Sequence, residues 1–181
     1  MALTLVSFAA FSIVLSVVDV RERRLPDRLV LPGTVVTAAL ALAAIVAAQV
    51  EYGAGSGSTS TMLATRGGAV RWAFETLGGG IALFVAFLGI VLLRPGAFGG
   101  GDVKAALMVG CVLGFAGGWT ALLIGTVCAL GIAAVWGAVL RGRRSRVSKN
   151  TEGEAAELPF GPCLFAGGWI GAALATPTLF G

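Results

Sequence analysis

The chain has 181 residues, of which 57% are hydrophobic and only 12% are charged, and its mean hydropathy is +0.92. Soluble domains are roughly 45–50% apolar and about 25% charged, so this composition excludes an ordinary soluble protein and indicates a chain embedded in lipid. The sequence contains no histidine, which excludes Ser-His and Cys-His catalysis and most metal sites. Acid–base chemistry is left to carboxylates first and to lysine second. Because a membrane span needs about 20 apolar residues, we expect an all-α, polytopic helical bundle of about six transmembrane helices, with residues 1–181 forming a single membrane-embedded domain.

Six apolar stretches follow one another along the chain. The first lacks the basic start and the small-residue cleavage site of a signal peptide, so we expect it to remain as a span. In chain order, the predicted spans cover residues 1–18, 29–50, 77–93, 103–115, 119–140 and from 160 almost to 181. In the last of these, Gly167 and Gly171 are spaced for close helix–helix contact.

The connections between the predicted spans differ in composition. Residues 51–68 are rich in glycine and serine, which predicts a flexible loop. Proline and clustered glycine within residues 94–102 end the third span, and the sequence Ala-Gly-Gly at 116–118 predicts a turn between the fourth and fifth spans. Residues 141–158 are predicted to be a charged loop before the last span.

The lysines and arginines predict how the spans are oriented. In a six-span arrangement, the first, third and fifth connections hold 11 of the 13 basic residues, and the other side holds only Arg66 and Arg71. The 11 are Arg21, Arg23, Arg24, Arg28, Arg94, Lys104, Arg141, Arg143, Arg144, Arg146 and Lys149. Cytoplasmic connections of membrane proteins carry an excess of basic residues, so we expect these three connections in the cytoplasm and both termini outside.

Two aspartates lie where a predicted span meets the cytoplasmic boundary. Asp19 follows the first span, and Asp102 precedes the fourth. The other acids fall in the connections or near the outer side. Ionisable groups at the edge of the hydrocarbon are costly and usually mark a site. Asp19 and Asp102, called the aspartate pair below, are therefore candidates for a functional site.

Two carboxylates in a poorly hydrated place have a defined chemistry. Both cannot ionise cheaply, so one keeps its proton while the other stays charged. The charged member can activate water and the protonated member can protonate a scissile carbonyl, as in aspartic proteases. This hydrolysis needs no metal or cofactor, and we expect none. Each residue alone also has an ordinary alternative, since Asp102 can be a helix N-cap and Asp19 an interfacial charge paired with an arginine.

Three glycines, Gly99–Gly101, precede Asp102. Without a Cβ, Gly99 and Gly101 can adopt positive φ and let the backbone approach an extended peptide closely. The alternative is that these glycines form an ordinary loop between two spans.

Three motifs resemble those of one protease family. Residues 99–104, GGGDVK, resemble the GxGD signature of type IV prepilin peptidases, the membrane aspartic proteases that mature pilins and pseudopilins. Residues 19–33, DVRERRLPDRLVLPG, are similar to a second family motif, in which an aspartate precedes a short polar turn and a Leu-Pro-Asn/Asp sequence. Residues 158–168, LPFGPCLFAGG, are similar to the Pro-Phe-Gly-Pro element that opens the family's last span. The motifs occur in the family's order and cover most of the chain.

The resemblance implies that Asp19 and Asp102 are the catalytic residues of an aspartic endopeptidase at the cytoplasmic face of the bacterial inner membrane. The substrate would be a pilin-like precursor with a short basic leader, a glycine before the cut and an apolar helix after it. That helix would lie in the bilayer beside the spans. The expected partners are therefore the precursor and membrane lipids, and no nucleic acid is expected.

The resemblance also places supporting residues near the substrate. Those expected to bind substrate or shape the site are Gly99, Gly101, Lys104, Pro159, Gly161 and Pro162. Lys104 can instead be a basic anchor of the topology, and the turn that contains Pro159 and Pro162 can be a simple helix start.

Longer family members carry a cytoplasmic insertion with CxxC motifs and often methylate the new N-terminus. This chain has no such insertion, so we do not predict methyltransferase activity. The resemblance favours the short members that accompany Flp-type pilus systems. The three cysteines, Cys111, Cys128 and Cys163, lie in apolar stretches and are expected to be small buried hydrophobes.

Two other functions remain open at this point. A small proton- or ion-coupled transporter could use the same aspartates as a proton relay, although such a protein is expected to carry an acid near the middle of the membrane. The third possibility is an inactive partner in pilus assembly.

Overall fold

The computed structural model describes residues 2–22, 27–55, 59–93, 99–147 and 160–175. This described part of the chain contains helices and no strand, which confirms the all-α prediction. The helices are α1 (Ala2–Glu22), α2 (Asp27–Gly55), α3 (Thr59–Leu93), α4 (Gly100–Val147) and α5 (Gly161–Ala175).

Four of these helices are long and apolar enough to cross a membrane. Their apolar segments are Ala2–Arg21, Val30–Val50, Gly68–Leu93 and Gly100–Leu140. The fifth, α5, is apolar but only 15 residues long. Large apolar side chains also cover the outside, since Leu3 is 74% exposed and Val127 is 68% exposed, as expected where lipid is the solvent. The chain is an integral membrane protein, while the total of six spans stays a prediction.

The helices extend further into the connections than the sequence predicted. α2 continues to Gly55 and α3 begins at Thr59, so the prediction of a flexible loop over residues 51–68 is wrong for most of its length. α4 likewise continues to Val147, within the predicted charged loop. Once a helix has formed, each added residue adds one hydrogen bond, and a glycine within the helix costs only about 1 kcal/mol relative to alanine.

A sharp turn divides α4 at Gly117 and Gly118. Gly118 has φ 60° and ψ −145°, a conformation that is nearly restricted to glycine. A Cβ at Gly125 would lie 2.7 Å from Leu113 Cδ1, although a straight helix would hold these two positions about 18 Å apart. The two halves of α4, residues 100–116 and 119–147, therefore fold back on each other. The turn predicted between the fourth and fifth spans is confirmed.

Residues 100–116, the first half of α4, form the centre of the bundle. From residue 105 to residue 116 every side chain is buried except that of Leu107, which is half-buried. Side chains from the other four helices surround this segment, among them Phe8, Leu15, Val30, Leu83, Phe87, Leu164 and Phe165. Because Asp102 lies at the beginning of this central segment, it is buried with it.

Glycine lets α3 pack backbone against backbone on this central half of α4. A Cβ at Gly110 would collide with the carbonyl oxygen of Gly79, and a Cβ at Gly114 would collide with that of Glu75. Neither position can therefore carry a side chain without separating the two helices.

α5 packs in the same way on the second half of α4. A Cβ at Gly171 would lie 2.7 Å from Gly125 Cα, and a Cβ at Gly167 would lie 2.5 Å from Ala129 Cβ. The close helix contact predicted for Gly167 and Gly171 is confirmed. This contact sets the position of α5 and hence of its first residue, Gly161.

Candidate active site

Asp19 lies in the last turn of α1, and it is only 5% exposed. Its Oδ2 accepts a hydrogen bond from the backbone N–H of Gly161 at 3.1 Å. Gly161 is the first residue of α5, and N–H groups at a helix N-terminus have no partner within the helix. The positive end of α5 therefore stabilises the carboxylate in place of water.

Asp102 lies in the first turn of α4 and is 7% exposed. Its backbone N–H donates to the carbonyl oxygen of Gly99 at 3.0 Å, and its Oδ2 accepts from the N–H of Gly99 at 3.3 Å. This second bond is the return bond of a capping box, in which an acidic side chain one turn into the helix pairs with the N–H of the N-cap residue. The alternative that Asp102 is itself the N-cap is wrong, because Gly99 occupies that position.

The fold brings the aspartate pair together, although its members belong to different helices. Asp19 and Asp102 lie close enough for their carboxyl groups to interact electrostatically, and Cys163, in the first turn of α5, lies within the same range of both. Asp102 Oδ1 is buried and has no hydrogen-bond partner among the described residues. A buried carboxyl oxygen without a partner is costly, and such an atom can bind a water molecule or the peptide group of a substrate.

Neither member of the aspartate pair forms an ion pair with Arg21 or Arg71, the two arginines whose side chains the structure describes. Pairing of Asp19 with another arginine stays an open alternative. An ion pair does join Arg71 Nε to Glu75 Oε1 at 2.9 Å, but Glu75 packs beside Gly118, about 24 Å along the central helix from Asp102. Within the described residues, no three His, Cys, Asp or Glu side chains are arranged so that they could hold a metal ion. The site thus offers two carboxylates, the minimum for activating water and donating a proton.

Gly161 shapes the site by lacking a side chain. A Cβ there would lie 2.7 Å from Asp19 Oδ2 and 3.2 Å from its Cγ, so even alanine would displace the carboxylate. The structure therefore places Gly161, a residue predicted to shape the site, directly against Asp19. Pro162 follows and is half-buried, while Pro159 lies outside the described residues. Lys104 is half-buried, two residues after Asp102, and its role stays a prediction.

The glycines before Asp102 do not use the positive φ that is open to glycine. Among the described glycines, positive φ occurs at Gly118 and not at Gly99 or Gly101. Gly99 is the N-cap of α4 and Gly101 lies within the helix, where helical geometry requires negative φ. A Cβ at Gly99 would approach Asp102 Oδ2 only to 3.7 Å. Close approach of a substrate to these glycines stays a prediction.

Sequence reasoning missed two features of the site. Cys163 is buried beside the aspartate pair, and no sequence pattern could show this because its position depends on how α5 packs. A groove between α1 and α5 is lined in part by Ser12 and Ser16, and here the sequence does carry a signal. The two serines are four residues apart in an apolar span, which places both hydroxyls on one helix face.

The expectation that all three cysteines are buried is met in part. Cys111 is buried like Cys163, Cys128 is half-buried, and all three are free thiols.

The sequence profile of the type IV leader peptidase family matches residues 6–135, which is more than half of the chain and includes both aspartates. The chain belongs to the type IV leader peptidase family. It is therefore a membrane protease, and the resemblance to prepilin peptidases is confirmed. In this leader peptidase, Gly161 and Pro162 lie beyond the matched residues. No curated protein and no solved structure matches the chain.

Proposed function

We propose that this leader peptidase is an aspartic endopeptidase that removes the short basic leader from type IV pilin-like or Flp-type precursors. The observation that carries the proposal is the convergence of Asp19 and Asp102, two buried carboxylates from different helices. Helix capping accounts for one carboxylate at each helix end, but it does not account for burying two like charges together, which is costly. Acid–base catalysis by one protonated and one ionised carboxyl group explains why the two side chains are buried together.

The mechanism follows from sharing one water molecule between the two side chains. The ionised carboxylate takes a proton from water while the water oxygen bonds to the scissile carbonyl carbon, and the protonated carboxyl gives its proton to the carbonyl oxygen. The carbon–nitrogen bond then breaks, the amine leaves with the proton that the first carboxylate had taken, and a hydroxyl proton of the intermediate returns to the second carboxylate, so that a carboxylic acid forms and the pair is restored. Asp102 Oδ1, buried without a partner among the described residues, is suited to contact the water or the carbonyl group.

The proposed substrate fits the depth of the site. Asp19 and Asp102 lie at ends of apolar helices, so a peptide bond between a basic leader and an apolar helix would reach them when that helix is in the bilayer. We further propose that this end faces the cytoplasm of a bacterial inner membrane, because the six-span arrangement predicts 11 of the 13 basic residues on its side and the basic side of a membrane protein remains inside.

The test is to change each aspartate to the isosteric amide. Asp19→Asn and Asp102→Asn keep the size of the side chain but can neither take a proton from water nor donate one as a carboxyl does. We expect each to abolish leader removal from a co-expressed pilin precursor while the protein remains in the membrane at nearly wild-type abundance. Immunoblots of the precursor and of the mature pilin measure the conversion.

Glu75→Gln is the matched control, since it removes a carboxylate at the opposite end of the bundle and should leave processing intact. Substantial processing by either aspartate variant would show that the changed residue is not catalytic.

A further inference from the structure

A groove of about 330 Å³ lies between α1 and α5 and is called the α1/α5 groove below. Its lining consists of Ser12, Ile13, Ser16 and Val17 of α1 and of Pro162, Phe165, Ala166 and Trp169 of α5. Within each helix the lining residues recur at one-turn intervals, so each wall is a continuous helix face. Ile13 is 64% exposed and Val17 is 47% exposed, which shows that the groove opens outward, toward lipid.

Two hydrogen bonds join α1 to α5 along this groove, one between residues that adjoin its lining and one between residues that line it. In the first, Gly161 N–H donates to Asp19 Oδ2. In the second, Trp169 Nε1 donates to Ser12 Oγ at 3.4 Å. Ser12 precedes Asp19 by seven residues, or about 10 Å of helix. The groove therefore begins beside the aspartate pair and continues about two helical turns into the apolar part of the bundle.

We propose that the α1/α5 groove binds the first two turns of the apolar helix that follows the cut in the precursor. This inference rests on the proposed function and names the surface that holds the substrate. The helix after the cut must begin at the aspartate pair and continue into the bilayer. The groove likewise begins beside the aspartate pair and continues into the apolar part of the bundle. A whole helix is about 10 Å wide, so one face of it would occupy the groove while its other faces contact lipid.

A polar group in the lining of the groove fits such a helix. The first four N–H groups of any helix lack partners within it, and in lipid each unsatisfied group is costly. Ser16 lies three residues before Asp19, and its hydroxyl makes no hydrogen bond within the described part of the chain. Its Oγ can therefore accept from a free N–H in the first turn of the bound helix.

Photo-crosslinking tests where the precursor lies. The protein would carry Asp102→Asn, so that the precursor is held uncut, and a benzophenone amino acid at Val17, in the groove, or at Val14, outside it. These two residues are a matched pair, because both are valines of α1 and both are 47% exposed. We expect a crosslink from position 17 to the first two turns of the precursor helix, located by mass spectrometry, and little or none from position 14.

A groove-filling variant tests what the contact does. Ala166→Leu would occupy the space between the walls, whereas Ala173→Leu adds the same side chain to an exposed position of α5 outside the groove. We expect Ala166→Leu to slow cleavage of a full precursor about tenfold, a usual penalty for an ill-fitting apolar contact. Cleavage of a short peptide with the leader and only a few residues after the cut should be unchanged, because that peptide has no helix to place in the groove.

The outcomes separate this proposal from the proposed function. Cleavage by the wild-type protein together with crosslinks from position 14 alone, or to lipid alone, would overturn the assignment of the groove and leave the function standing. Equal slowing of both substrates by Ala166→Leu would likewise overturn it, since the groove would then only support the aspartate pair. A wild-type protein that cleaves neither substrate would overturn the proposed function and the groove assignment with it.

Discussion

Main-chain N–H groups hold both carboxylates of the aspartate pair, and each N–H belongs to a glycine. The two glycines differ in how much space they leave. A Cβ would lie 2.7 Å from Asp19 Oδ2 at Gly161 but 3.7 Å from Asp102 Oδ2 at Gly99. Contacts below 3.0 Å force atoms to move, whereas 3.7 Å is ordinary van der Waals contact. Gly161 is therefore the residue whose lack of a side chain positions a carboxylate.

A small change at Gly161 should impair catalysis without unfolding the bundle. In Gly161→Ala the new methyl group would push Asp19 away from its N–H donor, and a displacement of about 1 Å at a catalytic group can lower the rate on the order of a hundredfold. We expect a loss of that size in precursor processing, with normal abundance in the membrane. Gly131→Ala is the control, because a Cβ there has no neighbour within 4 Å. Wild-type processing by Gly161→Ala would show that the contact with Asp19 does not matter for activity.

At the scale of the helices, close glycine contacts decide where the site lies. α3 meets the central half of α4 through Gly79, Gly110 and Gly114, whose backbones leave no room for side chains. Without a hydrophobic effect between lipid-facing surfaces, membrane helices associate through such close packing. The position of Asp102 at the start of α4 thus depends on contacts about two to three turns away.

Enlarging one of these glycines should lower stability. A Cβ in Gly114→Ala would collide with the Glu75 carbonyl oxygen and come within 2.9 Å of Thr76 Cα, so α3 and α4 must separate. Overpacking of this kind costs about 1–3 kcal/mol. We expect a lower midpoint of thermal unfolding in detergent, followed by intrinsic tryptophan fluorescence. Gly89→Ala, on α3 with open space around it, should be unaffected, and equal stability of the two variants would contradict the packing argument.

At the scale of the whole molecule, basic residues lie near the ends of the apolar helix segments. Lys104 lies in the first two turns of α4, beside Asp102, and Gly142 follows the apolar part of α4 toward the same end. Gly68 begins the apolar part of α3 at the opposite end, close to Arg71. The arrangement of the helices is therefore consistent with a membrane orientation set by the basic residues.

Cysteine labelling tests this orientation. Gly142→Cys and Gly68→Cys are a matched pair, since both glycines are exposed, helical and without neighbours within 4 Å. In a variant whose native cysteines are replaced, a membrane-impermeant maleimide added to intact cells made permeable only in the outer membrane should label position 68. Position 142 should be labelled only after lysis. The reverse pattern would place the aspartate pair on the outer side.

Sequence reasoning was reliable where local composition sets the structure. Apolar runs predicted the membrane environment and the helices. Gly117–Gly118 predicted the turn within α4, because a sharp reversal between apolar helices favours a residue without a Cβ. It failed at residues 51–68, where glycine and serine content suggested a loop but helix propagation continued. The positive φ that Gly99 and Gly101 could adopt is not used, since α4 begins one residue after Gly99.

The sequence by itself thus determined that the chain is a helical membrane protein with two acids at the ends of apolar spans. The length of an apolar run and the cost of placing a charged side chain in lipid both depend on local sequence. Only the tertiary structure decided that Asp19 meets the N–H of Gly161, 142 residues away along the chain, and that a groove beside them opens toward lipid. These contacts depend on how α1, α4 and α5 pack together. Such packing is set by the shapes of several helices at once, and no single stretch of sequence contains it.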